Sequence, residues 1–359
     1  MSAIVVQQSI LLGLAIATLV VVRHYGKRDE LTFVLVIMWS AIALVGAAAA
    51  LLLPNIGVIG DSLGVVPAAL FAGAASVILG LIALLLSLRV SRLEVQQQDL
   101  AESIGRQTVD LAELKASELG ETLVVVPALN EAATIGSVVR DLTRSGLPVL
   151  VVDDGSTDET GACARSEGAV VLTLPINLGV GGALRAGFGV ALRAGFTQAL
   201  QCDADGQHPI RAVLALLEAQ ARSNADLLIG SRFLDPKARR REGLVRFIAT
   251  FLLARVASRS SGRPITDATS GLRIVRRPLL DEVARSMPAH YLGDTFEVNV
   301  MAGRSGYVIE EIPVEMEPRV SGASSSSTLA SVRLTIRVMM VALLRLPGSG
   351  IRPRGEIAA

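Results

Sequence analysis

Three uncharged apolar runs open the chain, at residues 3–22, 31–53 and 68–88. Each reaches the roughly 20 residues that a helix needs to cross a bilayer core. Three in succession predict membrane-spanning helices rather than buried helices of a soluble core. No basic residue precedes the first run and no small-residue cleavage site closes it, which argues against a signal peptide. Residues 89–120 then read as a polar helix with a thin apolar seam. Leu93, Leu100 and Leu114 share one heptad position, Ile104 and Leu111 the other, and Gln97, Gln107 and Glu118 interrupt it. That pattern admits either a coiled coil, and with it a homo-oligomer, or a solvated stalk.

From residue 122 short apolar runs alternate with helical stretches. Candidate strands lie at 123–126, 149–152, 170–174, 199–202 and 227–229, with helices at 134–145 and 209–223 among the segments between. Continuous apolar strands separated by helices predict a mostly parallel sheet covered on both faces. The fold class expected is therefore α/β behind an α-helical membrane domain.

Loop charges orient the spans. The first connection holds Arg23, Lys27 and Arg28, the second holds no basic residue, and Arg89 and Arg92 follow the third run. The positive-inside rule then places the N-terminus outside and everything after residue 88 in the cytoplasm, an integral protein of the cytoplasmic (inner) membrane. Two later segments read as lying on the membrane surface. Residues 236–263 carry eight basic residues against Glu242, with Leu244, Phe247, Ile248, Phe251, Leu252 and Val256 mostly at helical spacing. Residues 328–345 are interrupted by Arg333 and Arg337, leaving an uncharged stretch too short to span.

Composition narrows the class of function. A chain that is 51% hydrophobic can bury ample apolar surface, which excludes disorder. A net charge of +1 and 3% aromatic residues argue against a nucleic-acid partner. Two cysteines, Cys163 and Cys202, are too few for a disulfide scaffold and fit a reducing compartment.

Chemistry is concentrated where strands end, the edge at which open α/β sheets bind ligands. The turns are Pro127-Ala-Leu-Asn-Glu131, Asp153-Asp-Gly-Ser-Thr-Asp158, Asn177-Leu-Gly-Val-Gly-Gly-Ala183 and Asp203-Ala-Asp-Gly-Gln-His208. Each alone has a plain reading as a turn, cap or loop, and His208 before Pro209 reads as the start of a helix. Together they form a coherent site. Asp203 and Asp205, with Gln207 nearby, can hold a hard divalent cation, Mg²⁺ or Mn²⁺. Gly179, Gly181 and Gly182 allow close backbone approach to a diphosphate. Asp153 or Asp154 can accept hydrogen bonds from a base or ribose.

In this order, and with Gly230-Ser-Arg232 downstream, these motifs resemble family 2 glycosyltransferases, in particular the dolichol- or polyprenyl-phosphate sugar transferase branch. The resemblance covers about residues 121–325, and residues 1–88 are similar to a small three-helix membrane domain found beside such transferases. It implies a GT-A fold, a nucleotide-sugar donor (GDP- or UDP-linked), a divalent cation and inverting transfer, with mannose or glucose as the expected sugar. It also implies that Pro127, Ala128, Asn130, Glu131, Asp153, Asp154, Asn177, Gly179, Gly182, Asp203 and Ala204 bind the nucleotide sugar. The resemblance assigns Asp203, Asp205 and Gln207 to the metal. Asp205, Arg232, Arg246, Asp267 and Glu297 match catalytic positions, and Arg232, Arg246, Arg319 and Ser324 would meet the acceptor phosphate. Val180 stands where some relatives have Lys, and Ser325 where Lys often follows.

The domains expected are a three-helix membrane domain (1–88), a helical linker (89–120), a GT-A domain (121–318) including a surface helix at 237–262, and a C-terminal surface helix and tail (319–359). A polyprenyl phosphate oxygen is already anionic at neutral pH, so transfer to it needs no general base. Another lipid or glycan acceptor would need one, with Asp267, Asp294 or Glu297 as candidates. A non-catalytic lipid-sugar binding or transport role is the third reading. The spans carry no acid or base, which argues against a proton-driven transporter.

Overall fold

The computed structural model describes residues 3–27, 31, 33–60, 66–114, 120–234, 244–286 and 294–317. These divide into two compact units between Gln97 and Gln98. The first holds helices α1 (Ala3–Lys27), α2 (Phe33–Gly60) and most of α3 (Val66–Gln107). Their positions follow the three apolar runs. Within this unit α1 packs on α2, and Trp39 Nε1 donates to Ser87 Oγ at 3.2 Å. Among the described residues one stretch, Gln8–Lys27, is long and apolar enough to cross a membrane, and a shorter apolar helical stretch covers Leu35–Ala48.

In α3 the helix continues without a break past residue 88 to Gln107. It stops where Thr108 turns its hydroxyl back to the Gly105 carbonyl at 2.6 Å and Asp110 Oδ1 caps a short 3₁₀ turn through the Ala112 N–H at 2.8 Å. The heptad seam is therefore divided. Leu93, Leu100 and Ile104 are exposed on α3, whereas Leu114 is buried in the core of the second unit with Leu111 packed against it.

The second unit is built on a seven-stranded sheet: β1 (Thr122–Ala128), β2 (Val149–Asp153), β3 (Val170–Thr173), β4 (Gln198–Gln201), β5 (Leu227–Ser231), β6 (Arg273–Arg276) and β7 (Ile309–Pro313). Its order is β3-β2-β1-β4-β6-β5-β7, and β6 alone runs antiparallel to its neighbours. The helices of this unit are α4 (Ile135–Arg144), α5 (Thr160–Ser166), α6 (Gly179–Arg193), α7 (Ile210–Arg222), α8 (Leu244–Ser261), α9 (Leu279–Ser286) and α10 (Asp294–Arg304). The five strands expected from the apolar runs form, and β6 and β7 are additional. Arg273-Ile-Val-Arg276 is too short and too charged at its ends to read as a strand.

Strand alternation feeds two core layers. Leu123 and Val125 face one layer with Leu150, Val152, Leu184 and Phe188. Val124 and Val126 face the other with Ile135, Val139, Leu142, Val213 and Leu216. The second layer is set by apolar positions of α4 (135, 138, 139, 142) at the i, i+3, i+4, i+7 spacing of a one-faced helix. On the first, α6 lies close to the sheet because Gly187 has no Cβ; one there would sit 2.5 Å from Val125 Cγ1. Of α8, Leu253, Ala254 and Ala257 turn inward, while Arg255, Arg259 and Phe251 are exposed.

The chain lays β2 and β3 to one side of β1 and then crosses back through α6 to place β4 on the other. This reversal puts a topological switch point at the carboxyl ends of β1 and β4, the place at which such sheets bind ligands.

Candidate functional site

Two of the sequence turns form one wall. Asn130, just past β1, adopts a left-handed backbone with φ of 55°, which asparagine tolerates better than most residues. Its N–H donates to Ser156 Oγ at 3.0 Å, and its Oδ1 accepts from the Thr157 N–H at 2.8 Å. The Asp154 N–H donates to the Ala128 carbonyl at 2.9 Å, and the Glu131 N–H to Thr160 Oγ1 at 2.8 Å. Asp158 accepts from the Ala132 and Thr160 N–H groups. Much of the Ser156–Thr160 stretch thus braces Asn130 and Glu131, which stay partly or fully exposed beside Pro127.

The first two aspartates of the second turn, Asp153 and Asp154, are buried. Asp153 Oδ1 accepts from the Ser156 N–H at 3.0 Å. Asp154 accepts from the Leu178 N–H at 2.7 Å, directly before α6. Burial pushes the Asp154 carboxyl up to about 7, against the lowering effect of the Leu178 and Gly179 N–H groups. Asp154 therefore anchors the third turn as much as it lines a pocket. Asn177 Oδ1 accepts from the Gly179 N–H at 2.8 Å, and Gly182 is buried within α6. The first turn of α6 presents backbone N–H groups, a setting that favours a diphosphate.

The fourth turn follows β4. Asp205 is buried, and its Oδ1 accepts from the Gln207 N–H at 3.0 Å. The Gln207 carbonyl accepts from the Glu317 N–H at 3.0 Å, which ties this loop to the chain beyond β7. Ala204 is buried between the two aspartates. The Asp203 side chain is 39% exposed, and its Oδ2 lies 3.2 Å from His208 Nε2. Burial raises the Asp203 carboxyl, but His208, Arg273 and Arg232 outweigh it and hold the group below the usual carboxylate range.

Behind this rim stand two arginines. Arg232, after β5, grips Asp267 with Nε–Oδ2 at 2.7 Å and Nη2–Oδ1 at 3.0 Å, and Nη2 also reaches Thr269 Oγ1 at 3.1 Å. Asp267 is 1% exposed. Burial raises its carboxyl, yet the Arg232 bonds and charge hold it below the ordinary range. A carboxylate so engaged is a poor proton acceptor, and the two bonds fix the direction of the Arg232 guanidinium. Glu311 fixes the same loop, accepting from the Thr266 and Asp267 N–H groups at 2.8 and 2.9 Å and from Thr266 Oγ1 at 2.7 Å. Arg273 is buried, with Nη1 donating to the Thr295 carbonyl at 2.9 Å.

Arg246 stands in the first turn of α8 and Asp294 begins α10, with both side chains outside the described residues. Glu297 is part-buried on α10. Arg319 and Ser324 lie outside the described residues. Three contributors were not assigned from sequence: His208, Arg273 and Glu311. His208 and Arg273 each close a motif of the sequence, at 203–208 and 266–273, whereas Glu311 left no signal there.

The donor set suits a hard cation that takes its remaining ligands from substrate and water. Among the described residues no three His, Cys, Asp or Glu side chains converge as a ligand set, while the rim offers the two carboxylates Asp203 and Asp205. Mg²⁺ and Mn²⁺ sites that share a diphosphate commonly need one or two.

A mostly parallel sheet with helices on both faces and this polar rim define a GT-A glycosyltransferase fold. Residues 123–284 match the family Glycosyl transferase family 2. The polyprenol monophosphomannose synthase of Mycolicibacterium smegmatis is 32% identical over 216 residues, 57% of this chain and 81% of that protein. The undecaprenyl-phosphate mannosyltransferase of Micrococcus luteus is 30% identical over 214 residues, 57% of this chain and 87% of that one. A solved structure of glucosyl-3-phosphoglycerate synthase from Mycobacterium tuberculosis with Mn²⁺, uridine diphosphate and glucosyl-3-phosphoglycerate is 24% identical, with a TM-score of 0.48 over 67% of this chain and 86% of that one. The chain belongs to glycosyl transferase family 2 and is a glycosyltransferase.

Proposed function

We propose that this glycosyltransferase moves a hexose, mannose or glucose, from a GDP- or UDP-linked donor to a polyprenyl phosphate at the cytoplasmic face of the inner membrane. The observation that carries this is the rim itself: the Asn130 wall, the α6 turn and the Asp203–Asp205 loop meet at the switch point, with Arg232 held ready behind them. The two mannosyltransferases it resembles over most of their length are named for polyprenyl-type phosphates. The apolar stretch Gln8–Lys27 fits an anchored enzyme, and we place all three N-terminal helices in the bilayer with the N-terminus outside.

In this reading Asn130, Glu131 and Pro127 contact the nucleoside, and the first turn of α6 meets the diphosphate. Asp203, Asp205 and Gln207 hold Mg²⁺ or Mn²⁺, which when bound offsets charge on the departing diphosphate. Arg232, with Arg246, Arg319 and Ser324 as further candidates, steadies the acceptor phosphate. An acceptor phosphate oxygen bonds to the anomeric carbon as the bond from that carbon to the donor diphosphate breaks, inverting the centre. No proton needs removal from the nucleophile. The charge pair that fully engages Asp267 agrees with a site built without a base there.

The test is direct. Membranes containing the protein, polyprenyl phosphate and Mg²⁺ or Mn²⁺ are given a panel of radiolabelled nucleotide sugars. Label from one donor should enter the lipid phase and stop with chelator. Nucleotide binding without transfer from any donor would overturn the acceptor assignment.

A further inference from the structure

We infer that His208 is a positioning residue that sets the carboxylate of Asp203 for the divalent cation, an inference that rests on the metal role proposed above for Asp203 and Asp205. His208 lies in a polar loop, yet its side chain is only 2% exposed. Burying an imidazole is costly unless a partner compensates it. Its partner is Asp203 Oδ2, 3.2 Å from Nε2. Nδ1 is buried without a hydrogen-bond partner among the described residues, so the side chain's one polar bond is to Asp203. An ionised carboxylate only accepts, so Nε2–H is the donor.

The ring is mounted rigidly. Pro209 follows it and restricts the backbone at 208. The Pro209 carbonyl accepts from the Ala212 N–H at 2.8 Å, opening α7. His208 thus projects from the start of a helix back onto the end of β4, spanning the loop that carries Asp205 and Gln207. On the other side Asp203 is confined by Gly271. A Cβ there would fall 2.2 Å from Oδ2 and 2.4 Å from Oδ1, so an absent side chain makes the cradle for the carboxylate. Oδ2 is committed to the imidazole, and Oδ1 has no hydrogen-bond partner among the described residues. A carboxylate held through one oxygen with the other left open is the arrangement by which an outer hydrogen bond orients a metal ligand.

The experiment uses the full chain in detergent or nanodiscs and titrates Mn²⁺ by electron paramagnetic resonance, with GDP and with UDP. It also measures nucleotide affinity without metal and the melting temperature. His208→Phe keeps a ring and removes the donor; His208→Gln restores an amide N–H near the Nε2 position. The expected result is Mn²⁺ affinity lower by roughly 10- to 100-fold in H208F. Metal-free nucleotide affinity stays within about twofold, and H208Q returns close to the unsubstituted protein. If H208F does not fold, His208→Asn, too short to reach Asp203, must show the same selective loss. Unchanged Mn²⁺ affinity, or a loss of metal-free binding and stability that H208Q does not rescue, overturns the inference. Asp205→Asn separates the two levels: if it binds Mn²⁺ normally, the proposed metal site itself is wrong.

Discussion

Arg232 and Asp267 form a two-bond fork, Nε to Oδ2 at 2.7 Å and Nη2 to Oδ1 at 3.0 Å, that joins the end of β5 to the loop before β6. The Arg232 N–H adds a third contact to Oδ2 at 3.2 Å. Glu311 braces the same point of the loop through the Thr266 and Asp267 N–H groups. The guanidinium is therefore fixed in direction before any substrate arrives.

Removing the carboxylate should leave a poorly compensated cation. Asp267→Ala is expected to lower stability by about 3 kcal/mol, in the range for breaking a buried pair, and to reduce transfer. Arg232→Lys keeps the charge but loses the planar fork, so it should lose transfer with a smaller change in stability. Urea midpoints and lipid-linked product formation measure both. Wild-type transfer in both variants would exclude Arg232 from the site.

Asp154 supplies a pH signature. Its carboxyl is raised to about 7 in the fold by burial, from an ordinary value of 3.8. Between those values the folded chain binds more protons than the unfolded chain, so this group's stabilising contribution is complete at low pH and declines as pH rises through about 7. The full span is on the order of 4 kcal/mol at about 1.4 kcal/mol per pK unit. Asp154→Asn keeps an acceptor for Leu178 and removes the titration. Its melting temperature should vary less with pH between 4 and 7, and at pH 8 it should exceed that of the unsubstituted protein. Parallel melting curves would refute this.

Within the second unit, Arg185 of α6 meets Glu102 of α3 through Nε and Nη2, both at 2.6 Å, with Asp99 3.5 Å from Nη2. Glu102 is raised, burial being the largest cause and Arg185 opposing it. A double-mutant cycle of Glu102→Gln and Arg185→Met should give a coupling of about 1–3 kcal/mol. Additive effects would mean that the two side chains stabilise the fold independently.

Gly271→Ala tests the cradle. The new methyl would overlap both oxygens of Asp203, so the carboxylate must move. A displacement of about 1 Å in a reacting assembly can cost about 10²-fold in rate. Transfer should fall by that order and require more Mn²⁺ for half-maximal activity, with the melting temperature little changed. Unaltered Mn²⁺ dependence would show that the pose of Asp203 is irrelevant.

Periodicity alone located the first five strands, because each is a short apolar run bounded by turns, and the helical stretch expected at 134–145 contains α4. The polar turns were equally visible as strings. Their division of labour was not. Asn130 and Thr157 lie 27 residues apart and Arg232 and Asp267 lie 35 apart, and those bonds exist only once the sheet has aligned the loops. β6 and β7 escaped because β6 is a charged tetrapeptide and β7 holds two adjacent glutamates.

The sequence by itself determined an α/β chain behind three apolar helices, with its chemistry at the carboxyl ends of the strands. Hydrophobic period and turn residues are local properties that a string displays directly. Tertiary structure decided which polar groups pair with each other and which stay open at the rim. Ser156, Thr160 and Asp158 brace the first wall, Asp267 holds an arginine, and His208 turns onto Asp203. Leu111 and Leu114, read as part of a heptad, joined the core of the second unit. Each of these outcomes depends on distance and burial between residues far apart in the chain. The free energy of a buried polar group is set by the partner it meets, and that partner is chosen by the fold.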